Sequence, residues 1–257
     1  MKDKQIELNK IYLGDCLFLL PNIPDKSVDC IICDPPYGTT FCDWDSVISF
    51  EELWKQYKRI RKPNCPILLF GNEPYSSYCR LSNIEEYRYD IKWQKEKPTN
   101  VFTIKKQPGR VYEDIMVFYK HTPTYNPIMK ERQNVTNPCP MKGDLNVDET
   151  NLITGVYKHS EDYNPNLVYP INIVKFNRDG KKGHKALHPT QKPLALIEYL
   201  IKTYSNEGDI ILDNCSGSGT TAVACINTKR NYICMEKKEE YYKISVNRIN
   251  KRLGGLF

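Results

Sequence analysis

The sequence predicts an α/β protein built on a parallel sheet with helices on both faces, and three observations predict it. Short apolar, β-branched runs alternate with segments whose apolar residues recur at helical spacing, the signature of strand-helix-strand units. Four of the apolar runs stop at a carboxylate: Asp15, Asp34, Asp213 and Glu236. A glycine-rich loop, Ser216-Gly217-Ser218-Gly219, joins a strand-like run to a helix-like one, an arrangement that offers free helix N-terminal amides to a nucleoside ligand.

With 257 residues the chain can bury a sizeable core, as one domain or as one domain with an insertion. Its net charge of +6 is compatible with a polyanionic partner but is common in lysine-rich proteins, so by itself it decides little. No apolar segment reaches the roughly 20 residues that a membrane-spanning helix needs, and Met1 to Glu7 has no signal-peptide core, so the expectation is a cytoplasmic protein with no membrane partner. Ten cysteines invite a metal reading. Cys30 and Cys33 stand in a strand-like run, where an odd spacing sends the two thiols to opposite faces, and no second pair follows at zinc-finger spacing. His184 and His188 are four apart in a Lys- and Gly-containing loop without a neighbouring carboxylate, so no metal is expected.

In chain order, residues 6–13 read as a strand ending at Gly14-Asp15, and Cys16 to Leu20 as a short helix stopped by Pro21. Val28 to Cys33 is the next strand, too short for a helix and halted by two prolines after Asp34. Glu51 to Ile60 put Leu53, Trp54, Tyr57 and Ile60 on one helical face. Pro66 to Phe70 is a strand that the chain leaves through Gly71-Asn72, a helix runs through Leu81, and Tyr89 to Trp93 is again a strand. Gln94 to Arg110 is basic and polar, and Asp114 to Tyr119 is an apolar strand. From His121 to Lys185 the alternation breaks. A plain loop of that length is unusual in a compact domain, so a small inserted domain or functional loop is expected. Order returns at His188-Pro189-Thr190-Gln191-Lys192-Pro193, ahead of a helix from Leu194 to Tyr204. Asp209 to Asp213 is strongly strand-like, Ala222 to Thr228 is the helix opened by the glycines, Tyr232 to Met235 is a strand ending in Glu236, and Glu239 to Arg252 is a polar helix.

The chemistry gathers on Asp34-Pro35-Pro36-Tyr37. A carboxylate at a strand's carboxyl end sits where ligands bind in open α/β sheets, and the paired prolines fix two backbone dihedrals behind it. Such a group suits an exocyclic amine, whose lone pair is delocalised into its ring: two acceptors taking its hydrogens, here Asp34 and the Pro35 carbonyl, push the nitrogen toward a nucleophilic, tetrahedral form. The Tyr37 ring can stack on an extruded base, an interaction worth roughly 1–3 kcal/mol. Alone, the motif also fits a strand end followed by a proline turn with a buried tyrosine. It resembles, however, the catalytic motif of amino-methylating DNA methyltransferases, which use S-adenosylmethionine. Ile91-Lys92-Trp93-Gln94-Lys95 and Tyr112 to Phe118 resemble later motifs of the same catalytic domain.

The glycine loop and Glu236, about 20 residues beyond it, form a ribose-binding pair that alone suits NAD equally. Asp-Pro-Pro-Tyr and the acid ahead of the glycines, which would repel a pyrophosphate, favour S-adenosylmethionine. The order of the pieces is permuted: the catalytic motif comes first and the glycine loop last, so that joining residue 257 to residue 6 restores one sheet order. That layout resembles the β class of these enzymes, with a Rossmann-like, circularly permuted methyltransferase fold and a small inserted recognition region. His188 to Pro193 resembles the family segment that holds the methionine end of the cofactor, Thr190 and Lys192 facing its carboxylate. The resemblance implies catalytic residues Asp34, Pro35, Pro36 and Tyr37. It implies cofactor-binding residues Asp15, Cys16, Asp34, Thr190, Gln191, Lys192, Asp213, Cys215, Ser216, Gly217, Gly219, Thr220 and Glu236. Residues 1–120 would form the catalytic part, 121–185 the target-recognition insertion and 186–257 the cofactor-binding part.

Lys105, Lys106 and Arg110, with Lys175, Arg178, Lys181 and Lys182, are candidates for DNA phosphate contacts, ordinary solvated side chains being the rival reading for any single one. The implied reaction is site-specific methylation of adenine N6 by base flipping, because the resembled adenine enzymes usually begin the motif with Asp and the cytosine enzymes with Ser; N4-cytosine is the alternative. Pro138-Cys139 could suggest cytosine-C5 chemistry, but it lies in the irregular stretch. RNA and protein-amide methyltransferases of this fold tend to carry Asn at the first position. An inactive nucleic-acid-binding relative is the rival from another class. The implied partners are double-stranded DNA and, as further candidates, a second copy of the chain and a cognate restriction endonuclease, in a prokaryotic or phage setting.

Overall fold

A computed structural model describes residues 6–38, 46–132, 145–147, 153–155, 164, 166–178 and 191–254. The chain divides into two compact units, one of Met1–Asn126 with Asn172–Phe257 and the other of Pro127–Ile171. In the first, the strands are β1 (Lys10–Leu13), β2 (Cys30–Cys33), β3 (Ile67–Gly71), β4 (Tyr87–Gln94) and β5 (Tyr112–Phe118). In the second they are β6 (Lys130–Glu131), β7 (Leu145–Val147), β8 (Ile153–Gly155) and β9 (Leu167–Val168), after which β10 (Ile173–Lys175), β11 (Ile210–Asp213) and β12 (Asn231–Glu236) return to the first unit. Among the described residues the α-helices, all in the first unit, are α1 (Cys16–Leu19), α2 (Phe50–Ile60), α3 (Tyr75–Ser82), α4 (Leu194–Tyr204), α5 (Thr220–Thr228) and α6 (Glu239–Gly254).

Eight strands form one sheet in the order β1-β12-β11-β2-β3-β5-β4-β10. The late strands β11 and β12 lie between the early strands β1 and β2, so the permuted order expected from the sequence is the one observed. The seam is parallel pairing of β11 with β2, Ile211 opposite Cys30 and Leu212 opposite Ile31. All neighbours are parallel except β5, which runs antiparallel to both β3 and β4. The expectation of a parallel sheet is corrected at that strand. β4 and β5 are joined without a crossover helix, and such a connection reverses the chain.

The period of two sorts the strands into two layers. Cys30 and Ile32 join Leu68, Phe70, Ile115 and Val117 in a core covered by α4 and α5, with Ile249 of α6. Ile31 and Cys33 join Ile67, Leu69, Met116 and Phe118 under α1, α2 and α3. Cys30 and Cys33 are therefore separated by the sheet. Helix α2 forms because Leu53, Trp54, Tyr57 and Ile60 share a buried face, Ser49 caps its first turn, and acids Glu51 and Glu52 open it while Lys58 and Arg59 close it, matching the helix dipole.

Two elements depart from expectation. β1 begins at Lys10 rather than residue 6, because Asn9 adopts a left-handed conformation (φ 60°), which an extended strand cannot include. β10, within the stretch expected to be irregular, adds to β4 through three residues of which Val174 is buried. The second unit contains two antiparallel pairs, β6 with β9 and β7 with β8. Among the described residues no helix is long and apolar enough to cross a membrane.

Ile211 is fully buried at the seam, whereas Phe18 is 81% exposed. Ile211→Ala is expected to lower the unfolding free energy by about 2–5 kcal/mol in urea titrations, and Phe18→Ala to change it by no more than about 0.5 kcal/mol.

Candidate active site

Seven strands point the same way and β5 points back, so the carboxyl ends of the seven and the start of β5 share one edge. A cavity of about 840 Å³ opens there. Asp15 follows β1, Glu236 ends β12, Asp213 ends β11, Asp34 follows β2, Asn72 follows β3, Glu113 begins β5, Lys95 follows β4 and Arg178 comes just after β10; all eight line the cavity.

On its wall is a cluster of four charges, of which the Glu113, Lys95 and Lys192 side chains are buried and that of Asp34 is partly exposed. Asp34 Oδ2 accepts from Lys192 Nζ at 2.6 Å, and Asp34 Oδ1 accepts from the Tyr37 hydroxyl at 2.5 Å. Glu113 Oε1 lies 2.9 Å from both the Tyr37 hydroxyl and Lys192 Nζ, while Glu113 Oε2 accepts from Lys95 Nζ at 2.5 Å. Two carboxylates and two ammoniums thus cancel, the condition under which charges tolerate burial. Lys95 Nζ also lies over the Trp93 ring and Lys192 Nζ over that of Phe70, at 4.7 and 5.0 Å from the centroids, which partly replaces lost water. Burial pushes the Asp34 carboxyl above its usual value, and repulsion by Glu113 adds to this, while Lys192 pulls the other way. For Glu113 burial acts upward too, but Lys192 and Lys95 outweigh it and hold the carboxyl at about 2. Asp34 is therefore the more readily protonated of the two. The Tyr37 ring lies 5.0 Å from that of Tyr75, so its position is fixed by ring packing as well as by its hydroxyl contacts.

The glycine loop lies beside this cluster. Burial raises the Asp213 carboxyl to about 7; it accepts from the Cys215 amide at 3.1 Å and from the Thr221 hydroxyl at 2.5 Å, bracing the turn. Glu236, raised by burial, accepts from the amides of Gly217 and Lys238, each at 2.8 Å. Gly219 is left-handed (φ 75°), and a Cβ on it would meet Ser245 Cβ of α6 at 2.8 Å, so this glycine also serves close packing. Arg248 of α6 donates to the Ser218 carbonyl at 3.1 Å and to the Thr220 hydroxyl at 2.9 Å, and the Ser218 hydroxyl donates to Gln191 at 3.1 Å. Tyr57 of α2 donates to Asn214 Oδ1 at 2.5 Å, tying the loop to the early part of the chain. Asp15 caps α1 at Leu17 N and pairs with Lys237 at 2.9 Å.

Of the residues singled out in the sequence, Asp15, Cys16, Asp34, Pro35, Pro36, Tyr37, Gln191, Lys192, Asp213, Cys215, Ser216, Gly217, Thr220 and Glu236 line the cavity, as do Arg110 and Arg178. Lys105, Lys106 and Lys175 are exposed and are not among its lining residues. Thr190, Lys181, Lys182, His184, His188 and Pro138-Cys139 lie outside the described residues. Sequence reasoning missed Glu113 and Lys95, although both fall in motifs it quoted. An acid at the start of a strand belongs to the far edge of a parallel sheet, and only the reversal of β5 carries Glu113 to the ligand edge.

The pocket fits a nucleoside-bearing cation. The Ser216 hydroxyl is buried without a hydrogen-bond partner, Ser216 and Gly217 line the cavity, and three acids, Asp34, Asp213 and Glu236, line it with them, a set better suited to a positive ligand than to a pyrophosphate.

Comparison with known proteins gives a consistent result. A family model of DNA methylases, N6 and N4, matches residues 28–247. The type II methyltransferase M.HpaI of Haemophilus parainfluenzae is 27% identical over 96% of this chain and 76% of its own length. The DNA adenine methyltransferase YhdJ of Escherichia coli K12 is 28% identical over 95% of this chain and 83% of its own. The crystal structure of the M1.HpyAVI–SAM complex superposes with a TM-score of 0.61 at 26% identity, covering 93% of this chain and 98% of that one.

Carbon-detected NMR titration of Asp34 should give an apparent pKa above the ordinary value of about 3.9. Glu113→Gln removes a repelling charge and should move it down; Lys192→Met removes the stabilising cation and should move it up. Shifts of one sign in both variants would contradict the cluster as described.

Proposed function

The chain belongs to the N6/N4 DNA methylase family, whose members use S-adenosylmethionine, and from that premise we propose that it methylates the N6 amino group of adenine within a specific duplex DNA sequence. The observation that carries this reading is the Asp34 carboxylate, held as an acceptor by Lys192 and Tyr37 at the edge of a cavity large enough for a base. Asp at the head of the motif and the name of the E. coli relative, a DNA adenine methyltransferase, favour adenine over N4-cytosine.

S-adenosylmethionine supplies, when bound, a methyl group made electrophilic by a sulfonium. Ser216, Gly217 and Glu236, with Asp15 and Asp213, are the residues that would hold its nucleoside and cationic parts; Gln191, Thr220, Cys16 and Cys215 complete the wall around them, whereas Gly219 is not among the lining residues and packs against Ser245. The Tyr37 ring stacks on the extruded base, and Asp34 with the Pro35 carbonyl accepts the two amino hydrogens, localising the nitrogen lone pair. As that nitrogen gains positive charge, Asp34 stabilises it in a partly dry site without reorganisation. Lys192 and Glu113 fix where Asp34 and the Tyr37 hydroxyl sit, so the acceptor is aimed in advance. Arg110 and Arg178 at the cavity rim are suited to phosphates flanking the extruded nucleotide. Sequence recognition is assigned to the insertion, residues 121–185, on the family resemblance.

Incubation of the purified protein with methyl-labelled S-adenosylmethionine and unmethylated DNA, followed by nucleoside analysis, is expected to give label in N6-methyladenine. Label in N4-methylcytosine would overturn the base assignment. Asp34→Ala is expected to lower transfer by at least about 10²–10³-fold with cofactor affinity largely kept; retained turnover would mean another group activates the amine.

A further inference from the structure

Between β4 and β5 the chain makes an excursion, residues 95–111, that is laced by its own hydrogen bonds. The Lys95 amide donates to the Val111 carbonyl at 2.7 Å and the Thr99 amide to the Arg110 carbonyl at 3.0 Å. Asn100 bridges the two limbs, its Oδ1 accepting from the Arg110 amide at 2.6 Å and its Nδ2 donating to the Pro108 carbonyl at 3.1 Å. Near the tip, the Thr103 amide donates to Asn100 O at 3.0 Å and Gln107 Nε2 to the Thr103 hydroxyl at 2.7 Å. Gly109 passes so close to Pro98 that a Cβ there would meet the proline ring at 2.9 Å.

On this braced loop the side chain of Phe102 is wholly exposed, with Val101 59% and Ile104 46% exposed beside it. An aromatic ring flanked by two aliphatic side chains in water is unfavourable unless a partner covers it. Lys105 and Lys106 follow directly, also exposed, and the loop's root, Lys95, Thr99 and Arg110, lines the cavity that holds Asp34 and Tyr37. The partner that fits is apolar and flat at its centre, anionic at its margins and adjacent to the cavity mouth. Stacked base pairs between phosphates have that composition. A second copy of the chain fits less well, since a two-fold contact through this tip would bring the lysine pairs together.

We propose that Phe102 is a wedge that enters the DNA stack next to the target base and fills the space that base leaves when it moves into the cavity. The inference rests on the DNA-methyltransferase reading above. Val101 and Ile104 widen the apolar contact, and Lys105 and Lys106 neutralise the phosphates on either side. Apolar wedges of this kind are used to unstack base steps elsewhere. Their effect falls on the opening of the helix rather than on methyl transfer itself.

The test compares two duplexes carrying the methylation site found by sequencing modified bases in DNA exposed to the enzyme: one fully paired, and one with an abasic position opposite the target base, so that extrusion is already favoured. Phe102→Ala is expected to lower kcat/KM at least 10-fold on the paired duplex and less than 3-fold on the other. Phe102→Trp should retain activity on both. Lys105→Gln with Lys106→Gln should reduce the salt slope of DNA binding by about 2, one for each phosphate no longer neutralised. Equal losses on the two duplexes, or none on either, would overturn the wedge. So would a wild-type dimer that Phe102→Ala converts to a monomer in sedimentation. Absence of transfer by the wild type to either duplex would instead overturn the methyltransferase reading on which the wedge rests.

Discussion

The pairing of β11 with β2 is the constraint on which the rest of the structure depends. It inserts two late strands between two early ones, and it does so in parallel, so that the chain leaves both β2 and β11 at the same edge. Asp34 and Asp213 thereby become neighbours although 179 residues separate them by number (213 minus 34). The loop-closure cost of pairing over such a separation grows only slowly with length, and burial on both faces offsets it: Ile211 and Leu212 are both fully buried, one in each layer of the core.

The same convergence creates an electrostatic problem that the fold solves locally. Four acids reach one edge from β1, β12, β11 and β2, and a fifth, Glu113, enters with β5. Each has acquired partners of its own. Asp15 has Lys237, Asp213 a hydroxyl and an amide, Glu236 two amides, and Asp34 and Glu113 share Lys192 while Lys95 completes the balance. Removing Glu113 or Lys192 would leave buried partners uncompensated, which is far more costly than the pair itself is stabilising, whereas the Asp15–Lys237 pair is exposed and contributes little. For the reaction proposed above, this arrangement offers Asp34 as an acceptor whose direction is fixed by Lys192 and Tyr37.

The sheet order and most of the residues lining the cavity were legible in the sequence because strand ends carry their own punctuation. Asp34 before two prolines, Asp213 before the glycines and Glu236 before a polar helix each mark a carboxyl terminus, and the ligand edge follows from parallel connection. Strand direction is not punctuated in the same way. Tyr112 to Phe118 has the composition of any buried strand, and nothing local reports that it runs backward, so the position of Glu113 was hidden. Lys192 was legible as a site residue from its motif, but its contacts with Asp34 and Glu113 require the seam to be formed. β10 was invisible because a three-residue strand with one buried side chain has no period. Gly219 reads in the sequence as a ligand-facing glycine; its approach to Ser245 depends on how α6 packs, which no local pattern specifies.

The most direct test of the account is a crystal structure of the protein with S-adenosylhomocysteine, the product that remains when the methyl group has been transferred. The account predicts the ribose hydroxyls on Glu236 beside the Ser216-Gly217 backbone, and the sulfur directed across the β11–β2 seam toward Asp34. A nucleoside bound away from Glu236, or a sulfur turned from Asp34, would contradict it.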